Sequence, residues 1–283
     1  MSTISASAVN ELRKRTDQPL MDCKRALTEA NGDLDKAVDI LRLRGKGVTA
    51  KREGNETAEG RVGVFIDPAN AVGAILEFRC ESAPTAKNDR VLALVEDLAQ
   101  VVADTNPTDV ADLLTKPFGA ATAGDRLTDV VSVIREKMIV QRFQRLSGGV
   151  FGKYVHHDGT VTAMLQCEGP AGQDELLRDV CAHIAALNPQ YMLPMEVPPE
   201  VLAKERDIYV QQIKDDPKNT GKPATIMDKI AEGKVKSWLS ETVLTEQPMA
   251  NTAKYPGTTV GAALTKAGLK PTKFVRYKVG AIA

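Results

Sequence analysis

Apolar residues recur at helical spacing in three short segments within the first 45 residues of the chain. We predict a first helix from about Ala6 to Arg15, because Ser5 has the side chain of an N-cap. A second helix ends at Gly32, which tolerates a left-handed conformation, and Asp33 caps a third helix that closes at Gly45. The pattern therefore predicts a three-helix bundle with a core of its own.

Two adjacent apolar residues, Leu20 and Met21, lie in the predicted loop between the first two helices. They cannot both face so small a core, so we expect one apolar side chain to be available to a partner. Cys23 in the second helix is expected to be a small core residue rather than a reactive thiol. The polar segment at residues 47–60 lacks periodicity and is predicted to be a linker.

A repeat organises the middle of the chain. Two predicted hairpins, GRVGVFIDPANAVGAILEFRCES and FGKYVHHDGTVTAMLQCEG, each precede an apolar helix that ends in Asn-Pro. Since one hairpin alone is marginally stable, we predict two subdomains, each a small antiparallel sheet covered by a helix. KFVRYKVG supplies a further strand to the second subdomain, and DRLTDVVSVIREKMIVQRFQRLSGG between the copies is predicted to be helical. The matched positions are Cys80 with Cys167, Phe65 with Tyr154 and Pro107 with Pro189.

An inserted pair of helices interrupts the second subdomain at about residues 198–245. One helix covers VLAKERDIYVQQIKDD, a turn is expected at PKNTGKP, and a second helix returns through ATIMDKIAEGKVKSWLSETVL. The predicted seam between these helices contains Val201, Leu202, Ile208, Tyr209, Ile213, Ile226, Met227, Ile230 and Trp238. The predicted fold class is α+β, with a three-helix domain at 1–46, a linker at 47–60, a first core subdomain at 61–148 and a second at 149–283.

Composition narrows the kinds of function that the chain can have. Its 37 lysines and arginines balance 37 aspartates and glutamates, so direct binding of nucleic acid is not expected. The four cysteines are widely spaced, which argues against a disulfide framework or a structural zinc site and favours a reducing compartment. No segment approaches the roughly 18 consecutive apolar residues of a membrane span, so we expect a soluble, cytoplasmic protein.

The sequence offers little support for an enzyme. None of its three histidines, His156, His157 and His183, stands in a pattern with a nucleophile and an orienting carboxylate. No phosphate-binding glycine loop is present, and we expect no cofactor and no metal. His156 and His157 lie at a hairpin tip, where solvated turn residues are favoured over metal ligands. His183 lies in an apolar helix, either as a buried histidine with a satisfied nitrogen or as an interface residue.

Two stretches resemble one known family. ELRKRTDQPLMDCKRALTEANGDLDKAVDILRLRG is similar to the ubiquitin-associated-like (UBA-like) amino-terminal domain of bacterial translation elongation factor Ts. GKPATIMDKIAEGKVKSWLSETVLTEQP resembles that family's second characteristic stretch. The resemblance implies a guanine-nucleotide exchange factor that promotes GDP release from elongation factor Tu by contact, without covalent chemistry. The alternatives are an elongation factor Tu-binding or chaperone-like paralogue with weak or no exchange activity, and a UBA-type adaptor, which would account only for residues 1–46.

The resemblance also implies where the partner is bound. Arg13, Leu20 and Met21 are contact candidates on the first domain, with a solvated helix charge as the alternative for Arg13. His183 stands where the family has a histidine that faces elongation factor Tu. The stretch after Cys80 corresponds to the family's exchange loop, usually Thr-Asp-Phe-Val-Ala, whose aromatic residue pushes between helices of the GTPase. Here the acidic residue and the aromatic wedge are both missing. The loop positions are Ser82, Ala83, Pro84, Thr85 and Ala86.

Overall fold

The computed structural model describes residues 4–219 and 222–281, apart from the side chain of Lys46. Thr220 and Gly221, in the predicted turn PKNTGKP, lie outside the described residues. So do residues 1–3 of the predicted domain 1–46 and residues 282–283 of the predicted subdomain 149–283. Within the described ranges, no helix combines the length and the apolar character that crossing a membrane requires.

Three helices pack around a small core at the start of the chain, as the sequence predicts. Ser5 caps the first helix by accepting a hydrogen bond from the Ala8 N–H at 3.1 Å, and Asp33 caps the third. Cys23 is fully buried in this core, in agreement with its predicted role. The helices are α1 (Ala6–Thr16), α2 (Leu20–Glu29) and α3 (Leu34–Arg52).

The prediction that the third helix closes at Gly45 is wrong, because α3 continues to Arg52 through the first part of the predicted linker 47–60. Gly45 instead lies at a close helix contact, where an added Cβ atom would be 3.1 Å from the Cβ atom of Ser132. The glycine therefore lets two helices approach each other rather than ending one of them.

The first core subdomain contains a three-stranded antiparallel sheet with a long helix against one face. The predicted hairpin is confirmed, but the prediction that 138–147 is helical is wrong. Met138 and Val140 are buried at strand spacing, and this segment is the third strand of the sheet, beside the second. The elements are β1 (Glu59–Asp67), β2 (Val72–Cys80), α4 (Ala83–Ala86), α5 (Asp89–Thr105), α6 (Val110–Thr115), β3 (Pro117–Phe118), β4 (Ala121–Thr122), α7 (Ala123–Ile134) and β5 (Met138–Ser147).

The second core subdomain repeats this arrangement, with the strand predicted from KFVRYKVG pairing beside the hairpin in the order β6-β7-β8. An antiparallel pair of helices is inserted before the last strand. The elements are β6 (Val150–Val155), β7 (Val161–Glu168), α8 (Asp174–Leu187), α9 (Pro199–Asp215), α10 (Ala224–Thr242), α11 (Val260–Lys266) and β8 (Lys270–Lys278).

The inserted helices α9 and α10 pack against each other, and Ile213 and Ala231 are buried. Two members of the predicted seam do not belong to it, since Ile208 is 40% exposed and Ile226 is 45% exposed. Arg206 and Asp228 form an exposed ion pair at 3.5 Å across the two helices. Polar contacts thus occupy part of the surface that we expected to be apolar.

Strand register places the two copies of the repeat in correspondence. Phe65 lies opposite Ala74, and Tyr154 lies opposite Ala163, which supports the predicted match of Phe65 with Tyr154. The same register aligns Cys167 with Phe78, so the predicted match of Cys167 with Cys80 is displaced by two residues. Both sheets also carry a register shift at equivalent positions, between Glu77 and Phe78 and between Gln166 and Cys167.

The two sheets pack against each other on the faces that the long helices leave uncovered. Val62, Val64 and Ile75 of the first sheet share one apolar cluster with Met164 and Val275 of the second. The core is therefore layered, with α5 on one sheet, α8 on the other and the two sheets between them.

Candidate functional site

The predicted partner-binding loop at 82–86 forms the short helix α4, whose two ends differ in exposure. Ala83 and Pro84 are exposed, with Pro84 in the first turn, where its fixed φ suits a helix. Thr85 and Ala86 are each 6% exposed. The side chains of Thr85 and Ala86 therefore belong to the base of the loop, and their contact with a partner stays a prediction.

Carboxylates clamp the start of the loop to the core. The Ser82 hydroxyl donates to Glu136 at 2.7 Å, and the Ser82 N–H donates to the other carboxylate oxygen at 3.1 Å. Glu81 accepts from Arg52 at the end of α3, and the N–H of Lys137 lowers the pKa of Glu81 by donating to its carboxylate. Ala83 and Pro84 therefore project from a base fixed to α3 and to the start of β5.

The cysteine that precedes the loop has no reactive character. Cys80 is fully buried, and burial raises the pKa of its thiol to about 11. Its Sγ atom lies 3.3 Å from the carbonyl oxygen of Ser82, to which it donates. The sequence FRCESAPTAKND is thus a strand-to-helix connection with an inert thiol and an exposed tip.

Arg61 connects the loop to the second subdomain, and sequence reasoning missed it. Its guanidinium donates to the carbonyl oxygen of Ala86 at 3.0 Å and lies against Gly159 in the turn between β6 and β7. The Val62 N–H donates to the Gly159 carbonyl at 2.9 Å. An arginine beside the apolar run at residues 62–66 was the available signal, but nothing local indicates its distant partners. The loop and this turn therefore lie side by side on one surface.

The candidates on the three-helix domain lie on its exposed surface. Leu20 is 46% exposed and Met21 is 62% exposed, although both lie in the first turn of α2 and not in the predicted loop. We expected that both could not face the core and that one would be available to a partner; in the structure both are exposed. Arg13 is exposed on α1 and forms no ion pair with a described residue.

Polar contacts fix the orientation of this domain on the first core subdomain. Asp22, beside Met21, is 8% exposed and pairs with Arg135 at 2.5 Å. Gln18 donates a short hydrogen bond to Ser132 on α7. The exposed apolar turn at Leu20 and Met21 is consequently held in a defined position relative to the loop at 82–86.

His183 lies inside the second subdomain. It is 1% exposed, its Nδ1 atom accepts from the Ala250 N–H at 3.1 Å, and its Nε2 atom donates to Gln247 at 2.8 Å. Burial lowers the pKa of His183, so the neutral form is favoured. These contacts match the alternative of a buried histidine with satisfied nitrogens. Direct contact of His183 with a partner stays a prediction.

Comparisons with known proteins match nearly the whole chain. The family model described as "Elongation factor TS" matches residues 85–281. The protein named "Elongation factor Ts" from Thioalkalivibrio sulfidiphilus is 37% identical over 281 residues, which cover 98% of this chain and 92% of that protein. Its namesake from Thiobacillus denitrificans is 38% identical over 281 residues, covering 99% and 93%. Another, from Lacticaseibacillus casei, is 37% identical over 284 residues, with the same coverage.

The chain belongs to the elongation factor Ts family. Ala83 and Pro84, the two exposed positions of the loop at 82–86, stand where the pattern given in the sequence analysis has its acidic and aromatic residues. Ser82 and Thr85 replace Thr and Val of that pattern, Ala86 is unchanged, and these three residues form the anchored base. The exposed part of the loop therefore differs from that pattern more in its chemistry than the anchored base does.

Proposed function

We propose that this chain is a guanine-nucleotide exchange factor that binds elongation factor Tu and promotes GDP release during protein synthesis. The observation that carries the proposal is identity of 37–38% to proteins named elongation factor Ts, over nearly all of both chains. We further propose that the three-helix unit is a UBA-like domain and that the protein acts in the cytoplasm.

The proposed mechanism is differential binding without covalent chemistry. An exchange factor must bind the nucleotide-free GTPase more tightly than the GDP-bound GTPase, and by reciprocity GDP then weakens the complex. A thousandfold faster release requires about 4 kcal/mol of such preference. Rigid placement of the contacts lowers the conformational entropy that the exchange factor loses on binding.

Two exposed regions supply the proposed contacts. The first is the apolar turn at Leu20 and Met21, with Arg13 nearby in sequence, and the second is the tip at Ala83 and Pro84. Ser82 positions the tip through Glu136, and His183 supports the second subdomain from within. Contacts from separated regions predict an interface above roughly 2,000 Å².

A second candidate function has one observation in its favour. The exposed tip carries neither the acidic residue nor the aromatic residue of the family pattern, since Ala83 and Pro84 stand in their places. A paralogue that binds elongation factor Tu or acts as a chaperone, with weak exchange activity, would carry such a change.

Release of a fluorescent GDP analogue from elongation factor Tu, with and without this protein, distinguishes the two functions. We expect faster release, and a complex that GDP weakens; a complex equally tight with and without GDP would support the paralogue instead.

The double variant Leu20→Ala, Met21→Ala is expected to bind elongation factor Tu more weakly by about 1 kcal/mol or more, with its free energy of unfolding unchanged. Leu187→Ala with Met195→Ala is the matched control, because those residues are 48% and 85% exposed in the second subdomain.

A further inference from the structure

The turn between β6 and β7 brings together three side chains that ligate metals. His156, His157 and Asp158 are consecutive, and their potential ligand atoms all lie within 4.8 Å of one another. Ligands that each lie about 2 Å from a zinc ion in a tetrahedral site are about 3.3 Å apart. Small side-chain rotations would therefore bring the three ligand atoms to the spacing of a zinc site. His156 is half-buried and the other two residues are exposed, which leaves a path for an ion from solvent.

Hydrogen bonds hold the backbone of this turn. The His156 N–H donates to the Val161 carbonyl at 2.9 Å, and the Gly159 N–H donates to the His156 carbonyl at 2.8 Å. Gly159 has φ +74°, a left-handed conformation that the absence of a side chain permits. The three side chains are therefore carried by a closed hairpin turn.

Two neighbouring residues orient the ligands. The Tyr154 hydroxyl lies 3.3 Å from Nδ1 of His156, so with Nδ1 bonded to Tyr154 the Nε2 atom is left to bind an ion. Thr160 donates to Oδ1 of Asp158 from both its N–H and its hydroxyl, at 2.9 Å each, which leaves Oδ2 for the ion.

We propose that His156, His157 and Asp158 form a binding site for a divalent first-row transition-metal ion, with Zn²⁺ as the ion used to test it. Two imidazole nitrogens and one carboxylate oxygen, with a remaining position for water, are a ligand set that Zn²⁺ accepts. Imidazole ligands select against Mg²⁺ and Ca²⁺, which take oxygen ligands. The sequence favoured solvated turn residues at His156 and His157, because it did not show the orienting contacts of Tyr154 and Thr160.

Calorimetric titration of the full-length chain with ZnCl₂ tests the site. We expect one Zn²⁺ per chain, and binding weakened by about tenfold or more in each of His156→Ala, His157→Ala and Asp158→Asn. Tyr154→Phe removes the orienting hydroxyl and keeps all three ligands, so it should weaken Zn²⁺ binding less than His156→Ala does. Asp67→Asn in the turn between β1 and β2 is the matched control, because Asp67 also accepts turn hydrogen bonds but has no histidine beside it.

Competing sites are few, since the chain has one other histidine, His183, and four cysteines, and all five side chains are buried. Absence of Zn²⁺ binding to the wild-type chain, or unchanged binding by the double variant His156→Ala, His157→Ala, would overturn the proposal. Displacement of Zn²⁺ by an equal concentration of Mg²⁺ would do so too, because it would indicate an oxygen site. Circular dichroism of each variant checks that the exposed turn changes leave the fold intact.

Discussion

The two core subdomains are copies of one structural unit, and they differ chiefly in how their elements are connected. In each copy a glycine of the first strand lies under the long helix: a Cβ atom on Gly63 would be 2.6 Å from Val95, and one on Gly152 would be 2.6 Å from Leu177. Each long helix ends at an asparagine in the left-handed conformation, Asn106 or Asn188. Hairpin register, helix contact and helix end are thus shared.

The connections carry what is particular to each copy. Between sheet and helix, the first copy has the anchored tip formed by α4, whereas the second has the short segment GPAGQ at 169–173. In the second copy the inserted helices α9 and α10 follow α8. Counting back from Asn188 and Asn106, His183 corresponds to Val101. The histidine occurs in the copy that contains the insertion, where its hydrogen bonds to Gln247 and Ala250 fix the returning chain to α8.

The largest expected effects test whether the buried cores of the two copies contribute equally to the free energy of unfolding. Leu76 and Leu165 occupy matched positions and are fully buried under α5 and α8. Replacing either with alanine removes buried apolar surface and leaves a cavity, so each change should lower the free energy of unfolding by about 2 to 5 kcal/mol. Urea unfolding followed by circular dichroism measures both. The exposed Val155→Ala serves as control, and losses that differ by more than about 2 kcal/mol would show that the copies are not equivalent.

A smaller effect separates the copies at their matched register shifts. Glu77 is 1% exposed and accepts from Arg142 at 2.7 Å and from the Gly280 N–H at 3.0 Å. Glu77→Gln should cost about 1.5 to 3 kcal/mol of unfolding free energy, because a charged hydrogen bond is lost in a buried place. The matched change Gln166→Ala removes neutral hydrogen bonds to the carbonyl oxygens of Ser147 and Gly148 at a half-buried position and should cost less than about 1 kcal/mol. Equal losses of unfolding free energy in the two variants would contradict the expected difference between the Glu77 and Gln166 positions.

His183→Val gives the second copy the residue of the first. It leaves Gln247 and the Ala250 N–H without their partner, so we expect a loss of about 1 to 2 kcal/mol at neutral pH. Because burial lowers the pKa of His183, the unfolded chain takes up a proton below about pH 6.5 that the folded chain resists. Wild-type stability should therefore fall as pH decreases below that value, and unfolding across pH should show a shallower fall in the variant. An identical pH slope in both chains would exclude this role.

The smallest expected effect concerns the connection itself. Ala83→Asp with Pro84→Phe restores the family pattern at the exposed tip and should speed GDP release from elongation factor Tu by about tenfold, or about 1.4 kcal/mol. Affinity should change less, since the contact acts during release. Stopped-flow measurement over a range of Mg²⁺ concentrations checks the rate. Ala171→Asp with Pro170→Phe, at exposed positions of the second connection, is the matched control. No gain at any Mg²⁺ concentration would show that the missing wedge does not limit exchange.

The sequence by itself determined the features that depend on neighbours within a few residues. The caps at Ser5 and Asp33, the turn at Gly32 and both hairpins follow from local hydrogen bonds and from the period of the apolar residues. The small size of the bundle predicted that at least one of Leu20 and Met21 is exposed, and both are. These features can be predicted from sequence because they depend on interactions between neighbouring residues and not on the rest of the fold.

Only the tertiary structure decided features that depend on residues far away in the chain. Gly45 continues a helix because α7 packs against it, and residues 138–147 form a strand because β2 offers an unpaired edge. Within the candidate site, Thr85 and His183 are buried by elements that their own neighbours do not specify. Burial and pairing across the fold depend on packing free energy summed over distant segments, and no local pattern records that sum.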